Sequence, residues 1–184
     1  MRELKHHEKK LLRKVNLIGW KGERNIRVAK VLRRYHIQNR EDYVAYERMC
    51  GYVTSLSSKL QSLPPSSPFR IDLTDQLLTK LYNLGVIDGK GSLEKADRVS
   101  VSGFCRRRLP VVMVRLKMSQ TLQAAITLIE TGQVRMGPTV VTDPAMLVTR
   151  GMEDFVGWTE GGKIERSVKK YNGKLDDFEL GGMG

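Results

Sequence analysis

Three consecutive arginines, Arg106, Arg107 and Arg108, abut a short run whose apolar residues recur at helical spacing. A guanidinium presents a planar fork of donors that matches a phosphate, so an arginine run at the start of a helix can act as a phosphate clamp. The helix dipole is positive at that end. Three cations there are unfavourable in the free protein and become favourable once an anion is bound. A solvated arginine run is the plain alternative. From Arg106 to Met118, Leu109, Val112, Met113 and Leu116 take the i, i+3, i+4, i+7 positions of a buried helical face. Arg108 and Arg115, seven apart, lie along one border of that face, and Arg107 is expected to point further toward solvent. Pro110 fits only if the helix begins there, where its fixed dihedral is pre-set and its missing N–H had no partner.

The whole chain supports an anionic partner. It has 184 residues with 32 Lys and Arg against 20 Asp and Glu, a formal charge of +12. Such a surplus attracts polyanions at long range, nucleic acid first among them. Membranes are also anionic, but the sequence has no apolar run of about 18 residues and no lipidation motif. Residues 1–14 are too charged for a secretory signal, and Glu3 and Glu8 argue against a mitochondrial presequence. Cys50 and Cys105 stand far apart with no cysteine near either, against a disulfide framework and in favour of a reducing intracellular compartment. The histidines His6, His7 and His36 have no cysteine beside them, so no metal site is expected. There is no phosphate-binding Gly-Lys loop, no nucleophile elbow, and no carboxylate pair that stands out as acid and base. The expectation is a binding protein and not an enzyme, with no cofactor and no small-molecule substrate.

The elements that must position these residues can be read from periodicity. The basic surplus is uneven: residues 1–48 hold 14 Lys and Arg against 6 acids, and residues 103–158 hold 7 against 4. In the first region Leu11, Leu12, Val15 and Ile18 recur at helical spacing beneath Lys9, Lys10, Arg13 and Lys14, with Gly19 and Gly22 as interruptions. A solvated amphipathic face accounts for the same pattern. Lys30, Arg33 and Arg34 precede Tyr35 and His36, whose rings could stack on bases, although a structural tyrosine explains Tyr35 equally well. From Asn39, a potential cap, a helix follows with Glu41 and Asp42 in its first turn and a core stripe of Tyr46, Met49, Cys50, Val53, Leu56, Leu60 and Leu63. Pro64 to Pro68 read as a turn. The next helix takes Thr74 as its cap, buries Leu77, Leu78, Leu81 and Leu84, and stops at Gly85. Gly89 to Gly91 form a loop.

A second amphipathic helix follows the arginine-bearing one, capped by Ser119 and ended by Gly132, with Leu122, Ala125, Ile126 and Ile129 inward and Ala124 and Ala125 allowing close approach. Gln133 to Met136, a Gly137-Pro138 turn and Thr139 to Val141 read as a hairpin. Leu147-Val148 and Phe155-Val156 are further short strands. The result is an α+β unit that would meet structured RNA through backbone and shape.

At these residues the sequence resembles a known family. Arg107-Arg108-Leu109, Leu116-Lys117-Met118, Ser119 with Gln123-Ala124-Ala125, and Gly132-Gln133-Val134-Arg135-Met136-Gly137 resemble the S-four RNA-binding domain, named after small-subunit ribosomal protein four. Leu77 to Ile87 resemble the equivalent stretch of the eukaryotic ribosomal protein. Leu4 to Leu12, Tyr35 to Tyr43, Cys105 to Pro110 and Val148 to Phe155 are similar to the S-four-domain proteins of the U-three small nucleolar ribonucleoprotein, over nearly the full chain. The family's Arg-Leu-Asp reads Arg108-Leu109-Pro110 here, and its common Asn-Gly turn reads Met136-Gly137 before Pro138, so no contact is carried onto Pro110 or Met136.

The resemblance implies an α+β chain: a helical N-terminal region followed by an S-four-like (αL) RNA-binding domain of two helices packed on a small β-sheet. The expected divisions are a basic extension over 1–38, a helical region over 39–104, the RNA-binding domain over 105–158, reaching to about 175, and a tail over 159–184. Expected RNA-binding residues are Arg106, Arg107, Arg108, Arg115, Lys117, Gln123, Arg135 and Arg150, with Lys9, Lys10, Arg13, Lys14, Arg33 and Arg34 in the extension. The implied role is a nucleolar, non-catalytic assembly factor of the small-subunit processome. It would bind U-three small nucleolar RNA and pre-rRNA, promote their pairing and support early pre-18S processing. The implied protein partners are a processome scaffold phosphoprotein and a Brix-domain companion. A structural protein of the small ribosomal subunit is the alternative.

Overall fold

The computed structural model describes residues 2–3, 5–14 and 22–174. The chain divides into two compact units, Met1–Arg34 and Tyr35–Gly184. The first holds α1 (His6–Lys14) and α2 (Gly22–Arg34). Glu8, in the first turn of α1, accepts a hydrogen bond from the Lys5 backbone N–H at 2.9 Å and pairs with Arg2 at 2.6 Å. It thus satisfies a free donor and complements the dipole. Helix α2 begins at Gly22, one of the two glycines expected to interrupt the helical pattern, while Val15, Ile18 and Gly19 lie outside the described residues. Arg33 and Arg34 occupy the negative end of α2.

The second unit opens with Tyr35 and Ile37 buried on either side of His36, whose φ of 47° turns the chain. Tyr35 therefore takes the structural role. In α3 (Arg40–Gln61), Asn39 is the N-cap residue, but its side chain makes no cap bond. Of the expected stripe, Tyr46 and Leu60 are buried, Met49, Cys50, Val53 and Leu63 are half-buried and Leu56 is exposed, whereas Tyr43 and Ser57 are buried. The reason is that α3 is covered by three elements, α4 (Pro68–Leu84), α5 (Glu94–Asp97) and α6 (Val101–Cys105), so its buried face shifts along its length.

Helix α4 starts well before Thr74: Ser67 is its N-cap and Pro68 its first residue, because proline's fixed φ suits the first turn. Leu78 and Leu81 pack with Ile87 and Ala96 in a helical core, with Leu77 at its edge. Gly85 ends α4 as expected, with φ 75° and hydrogen bonds from the Gly85 and Val86 N–H groups to the Tyr82 and Leu81 carbonyls at 2.8 and 3.1 Å. A Cβ there would lie 2.8 Å from the Arg107 Cζ, so glycine serves both the turn and the close approach.

Helices α7 (Leu109–Arg115) and α8 (Leu122–Glu130) pack with an antiparallel sheet of β1 (Val134–Met136), β2 (Thr139–Val140) and β3 (Val156–Trp158), ordered β2-β1-β3. Arg135 faces Val140 on one side and Gly157 on the other. Leu109, Val112, Met113, Ala125, Ile129, Val134, Met136, Val141 and Val148 form the core of this half. Pro110 sits in the first turn of α7, and Gly132 and Gly137 take positive φ at the end of α8 and in the hairpin. The architecture is α+β, as expected.

Several local expectations change. Leu116 follows the last residue of α7 and is exposed. The cap of α8 is Thr121, whose hydroxyl accepts from the Ala124 N–H at 3.2 Å; the Ser119 hydroxyl instead donates to the Thr121 carbonyl. Ala125 is buried but Ala124 faces outward. Leu147 makes only an isolated bridge with Arg108, and Phe155 ends a 3-10 helix (Arg150–Phe155) just before β3. The stretch read as a tail contains α9 (Lys163–Tyr171), and Asp176 to Gly184 lie outside the described residues.

Candidate nucleic-acid interface

The arginine run splits. Arg107 is only 4% exposed and Arg108 2%. The Nε and Nη2 of Arg107 donate to the Val148 carbonyl at 2.8 and 2.6 Å, and its Nη1 pairs with Glu153. Arg108 donates through Nη1 to the Asp42 carboxylate at 3.1 Å and lies 6.0 Å from the centre of the Tyr46 ring, which itself stacks on Phe104. The expectation that Arg107 points to solvent and that Arg108 borders an open face is corrected: both guanidinium groups are used inside the protein. The reason is long-range. Arg108 serves as the N-cap residue of α7 in extended backbone, and the bridge to Leu147 draws the run between α3 and the 146–153 segment. Arg106 alone of the three is exposed.

The remaining candidates fall into two groups. Arg115 is 51% exposed and shares Glu153 with Arg107, at 2.6 Å. Burial pushes the Glu153 carboxyl up, but hydrogen bonds and charge from Arg107 and Arg115 outweigh it and hold the group below its usual value. Arg135 is half-buried: it donates to the Trp158 and Gly137 carbonyls at 2.9 and 3.3 Å and pairs with Glu160 at 2.7 Å. Arg150 donates to the Ile87 carbonyl at 2.9 Å and stacks 4.2 Å over the Tyr82 ring, while its buried Nε has no partner among the described residues. Arg135 and Arg150 thus brace the fold. Lys117 and Gln123 are exposed, as are Lys9, Lys10, Arg33 and Arg34 in the first unit; the side chains of Arg13 and Lys14 lie outside the described residues.

Lys117 is held in an unusual backbone. It occupies the position just past the end of α7 with φ 60°, where its N–H donates to the Val114 carbonyl and the Met118 N–H donates to the Met113 carbonyl. Glycine completes the same hydrogen-bond pattern at Gly85 and Gly132. A non-glycine residue there costs about 1 kcal/mol relative to glycine. Lys117→Gly is accordingly expected to raise stability by roughly 0.5–1 kcal/mol while weakening RNA binding. Urea unfolding together with RNA titration checks the pair of effects, and equal affinity in the two proteins would deny Lys117 a contact.

Nucleophilic chemistry finds little support in the described cysteines. Cys105 is buried, and burial pushes its thiol up to about 11, away from the reactive thiolate at neutral pH. Among the described residues no cluster of His, Cys, Asp or Glu could hold a metal ion, and no helix is long and apolar enough to cross a membrane. Sequence reading passed over Lys95 and Arg98, whose three-residue spacing around α5 was the available signal; both line the same cleft as Arg106.

Comparison with known proteins matches two family models in succession along the chain. Residues 3–106 match the Ribosomal protein S4/S9 N-terminal domain and residues 107–154 the S4 domain. The junction falls inside the arginine run, and the Arg108–Asp42 pair crosses it. The chain is 50% identical to the Homo sapiens U3 small nucleolar ribonucleoprotein protein IMP3, covering 98% of each chain. It is 49% identical to the Saccharomyces cerevisiae protein of the same name, over 98% of this chain and 99% of that one. Small ribosomal subunit protein uS4 of Hyperthermus butylicus is a more distant relative, 26% identical over 76% of this chain and 78% of its own. On identity that spans nearly the whole of both chains, with the two family models laid end to end, the chain belongs to the family of the U3 small nucleolar ribonucleoprotein protein IMP3.

Proposed function

We propose that this chain is a non-catalytic, nucleolar RNA-binding subunit of the U3 small nucleolar ribonucleoprotein. It binds U3 small nucleolar RNA and pre-rRNA, promotes their pairing and supports early pre-18S processing in the small-subunit processome. The observation that carries this reading is the 49–50% identity over 98% of the chain to proteins named for that particle, against 26% to a ribosomal uS4 protein. The cationic surplus suits the pairing role physically, because lysines and arginines screen the repulsion between two phosphate backbones as their strands anneal. The contact set is reduced to the cations left outside the core, Arg106 at the end of the N-terminal half and Arg115 and Lys117 in the S4 half, together with Gln123, and to Lys9, Lys10, Arg33 and Arg34 in the first unit. A scaffold phosphoprotein and a Brix-domain companion are its proposed protein partners.

Crosslinking in cells followed by RNA sequencing tests the assignment. Reads from U3 RNA and from precursor spacer are expected. Reads confined to mature 18S RNA would favour a structural protein of the ribosome and sink the assembly role.

A further inference from the structure

The three arginines of the run have different fates, and the outlier marks a second feature. Arg107 and Arg108 turn inward, whereas Arg106 is exposed and opens on a cleft of about 320 Å³ lined by the turn after α4, by α5 and by α6. Two more cations, Lys95 and Arg98, line the same cleft. The side chains of Lys95 and Arg106 make no hydrogen bond or ion pair with another described residue. Arg98 has only Glu94, at 3.8 Å and with both side chains largely exposed, a contact worth little in water. Val86 and Val99 supply an apolar wall, and Asp88 adds one carboxylate, also without a partner among the described residues.

Three exposed cations around an opening, of which only Arg98 has a counter-ion and that a loose one, suit a phosphate. The apolar wall calls for a flat or carbon-rich body next to it. The exposed Asp88 carboxylate at the same opening can accept a hydrogen bond from a ligand donor such as a hydroxyl. The size stands at the small end of ligand sites, which run from roughly 300 to 1,000 Å³, and suits a single residue of a polymer better than a duplex. A ribonucleotide has all of these parts, and its 2′-hydroxyl is the group by which a protein separates RNA from DNA.

We propose that this cleft holds one nucleotide of a single-stranded RNA. Lys95, Arg98 and Arg106 meet its phosphates, Val86 and Val99 lie against the sugar and base, and Asp88 accepts a hydrogen bond from the ribose 2′-hydroxyl. The inference rests on the RNA-binding reading and adds to it a site in the N-terminal half that discriminates sugar.

The test uses the full chain and fluorescence anisotropy with labelled eight-nucleotide single strands, RNA and DNA of one sequence, at several salt concentrations. Replacing Lys95, Arg98 and Arg106 together by glutamine is expected to weaken RNA binding about tenfold or more. The log-log salt slope should fall by about 0.7 for each phosphate that is no longer neutralised. All three side chains are exposed, so thermal unfolding should be unchanged. Asp88→Asn should reduce RNA affinity several-fold and leave DNA affinity equal or slightly higher, closing the gap between them.

If the triple variant keeps both affinity and slope while Lys117→Gln loses affinity, the cleft site is overturned and the RNA-binding reading stands. If the unaltered protein binds no RNA, both fall. An Asp88→Asn change that raises RNA and DNA affinity equally overturns the ribose contact, since it would show only a relieved repulsion. Competition by a phosphoserine peptide as strong as by the RNA would overturn the nucleotide and leave a phosphate site for protein.

Discussion

Asp42→Ala is expected to destabilise the protein by about 3–5 kcal/mol, because it leaves the buried Arg108 guanidinium without its carboxylate. The two partners are unequal. Arg108 is 2% exposed, whereas the Asp42 side chain retains 22% exposure and sits in the first turn of α3, where the helix dipole favours a negative charge. Removing the acid therefore strands a charge that water cannot reach. Removing the arginine strands one that water can partly solvate. Arg108→Met, which keeps the stem and its packing near Tyr46, should cost less, about 1–2 kcal/mol. The double variant should be more stable than Asp42→Ala alone. Urea unfolding of the four proteins closes the cycle, and equal midpoints for the parent and Asp42→Ala would show that the pair contributes nothing. The same proteins answer a functional question. A folded Arg108→Met variant with unchanged salt dependence of RNA binding keeps that guanidinium inside the fold, whereas a slope lower by about one unit would restore it as a phosphate contact.

The contrast between Arg108 as read from sequence and Arg108 as folded shows where sequence reading stops. The helix pair and the hairpin were legible because their signals are local: the spacing of Leu109, Val112 and Met113, the proline in the first turn, and the glycines at 132 and 137 that accept positive φ. The fate of Arg107 and Arg108 was not. Their partners, Val148, Glu153 and Asp42, lie between 41 and 66 positions away, and nothing in a run of three arginines says which members will find them. Misplaced boundaries have a similar origin at shorter range. Thr74 and Ser119 are sound cap residues by type, yet Ser67 ahead of Pro68, and Thr121 with its bond to Ala124, occupy the caps. The N-terminal half was the least legible, because α3 is covered by three different helices and no single stripe describes its buried face.

Glu153 is the hinge between the buried and the exposed parts of the arginine set, and its removal should separate stability from binding. It pairs with Arg107, 5% exposed in its side chain, and with Arg115, 51% exposed. Glu153→Gln keeps the shape but removes the charge, so Arg107 retains its bonds to the Val148 carbonyl while losing its counter-ion. A loss of about 2–3 kcal/mol at neutral pH is expected. The pH dependence identifies the cause. The carboxyl is held below its ordinary value of 4.5, so the native state binds the proton more weakly than the unfolded chain. Its contribution is then fully present above pH 4.5 and disappears as the pH falls through the lower native value. Parent and variant should differ most at neutral pH and converge in acid. Parallel stability curves across that range would deny the carboxylate its role. RNA binding should move the other way. Freed from its carboxylate, the half-exposed Arg115 turns wholly to phosphate, and the removed negative charge no longer repels it, so affinity at low salt should rise severalfold and the advantage should shrink as salt screens it. A protein made less stable and more avid by one substitution would mean that Glu153 holds Arg115 partly in reserve for the fold. Lower affinity in a folded variant would mean instead that the Arg107–Glu153–Arg115 geometry, and not the free charge of Arg115, is what the RNA requires.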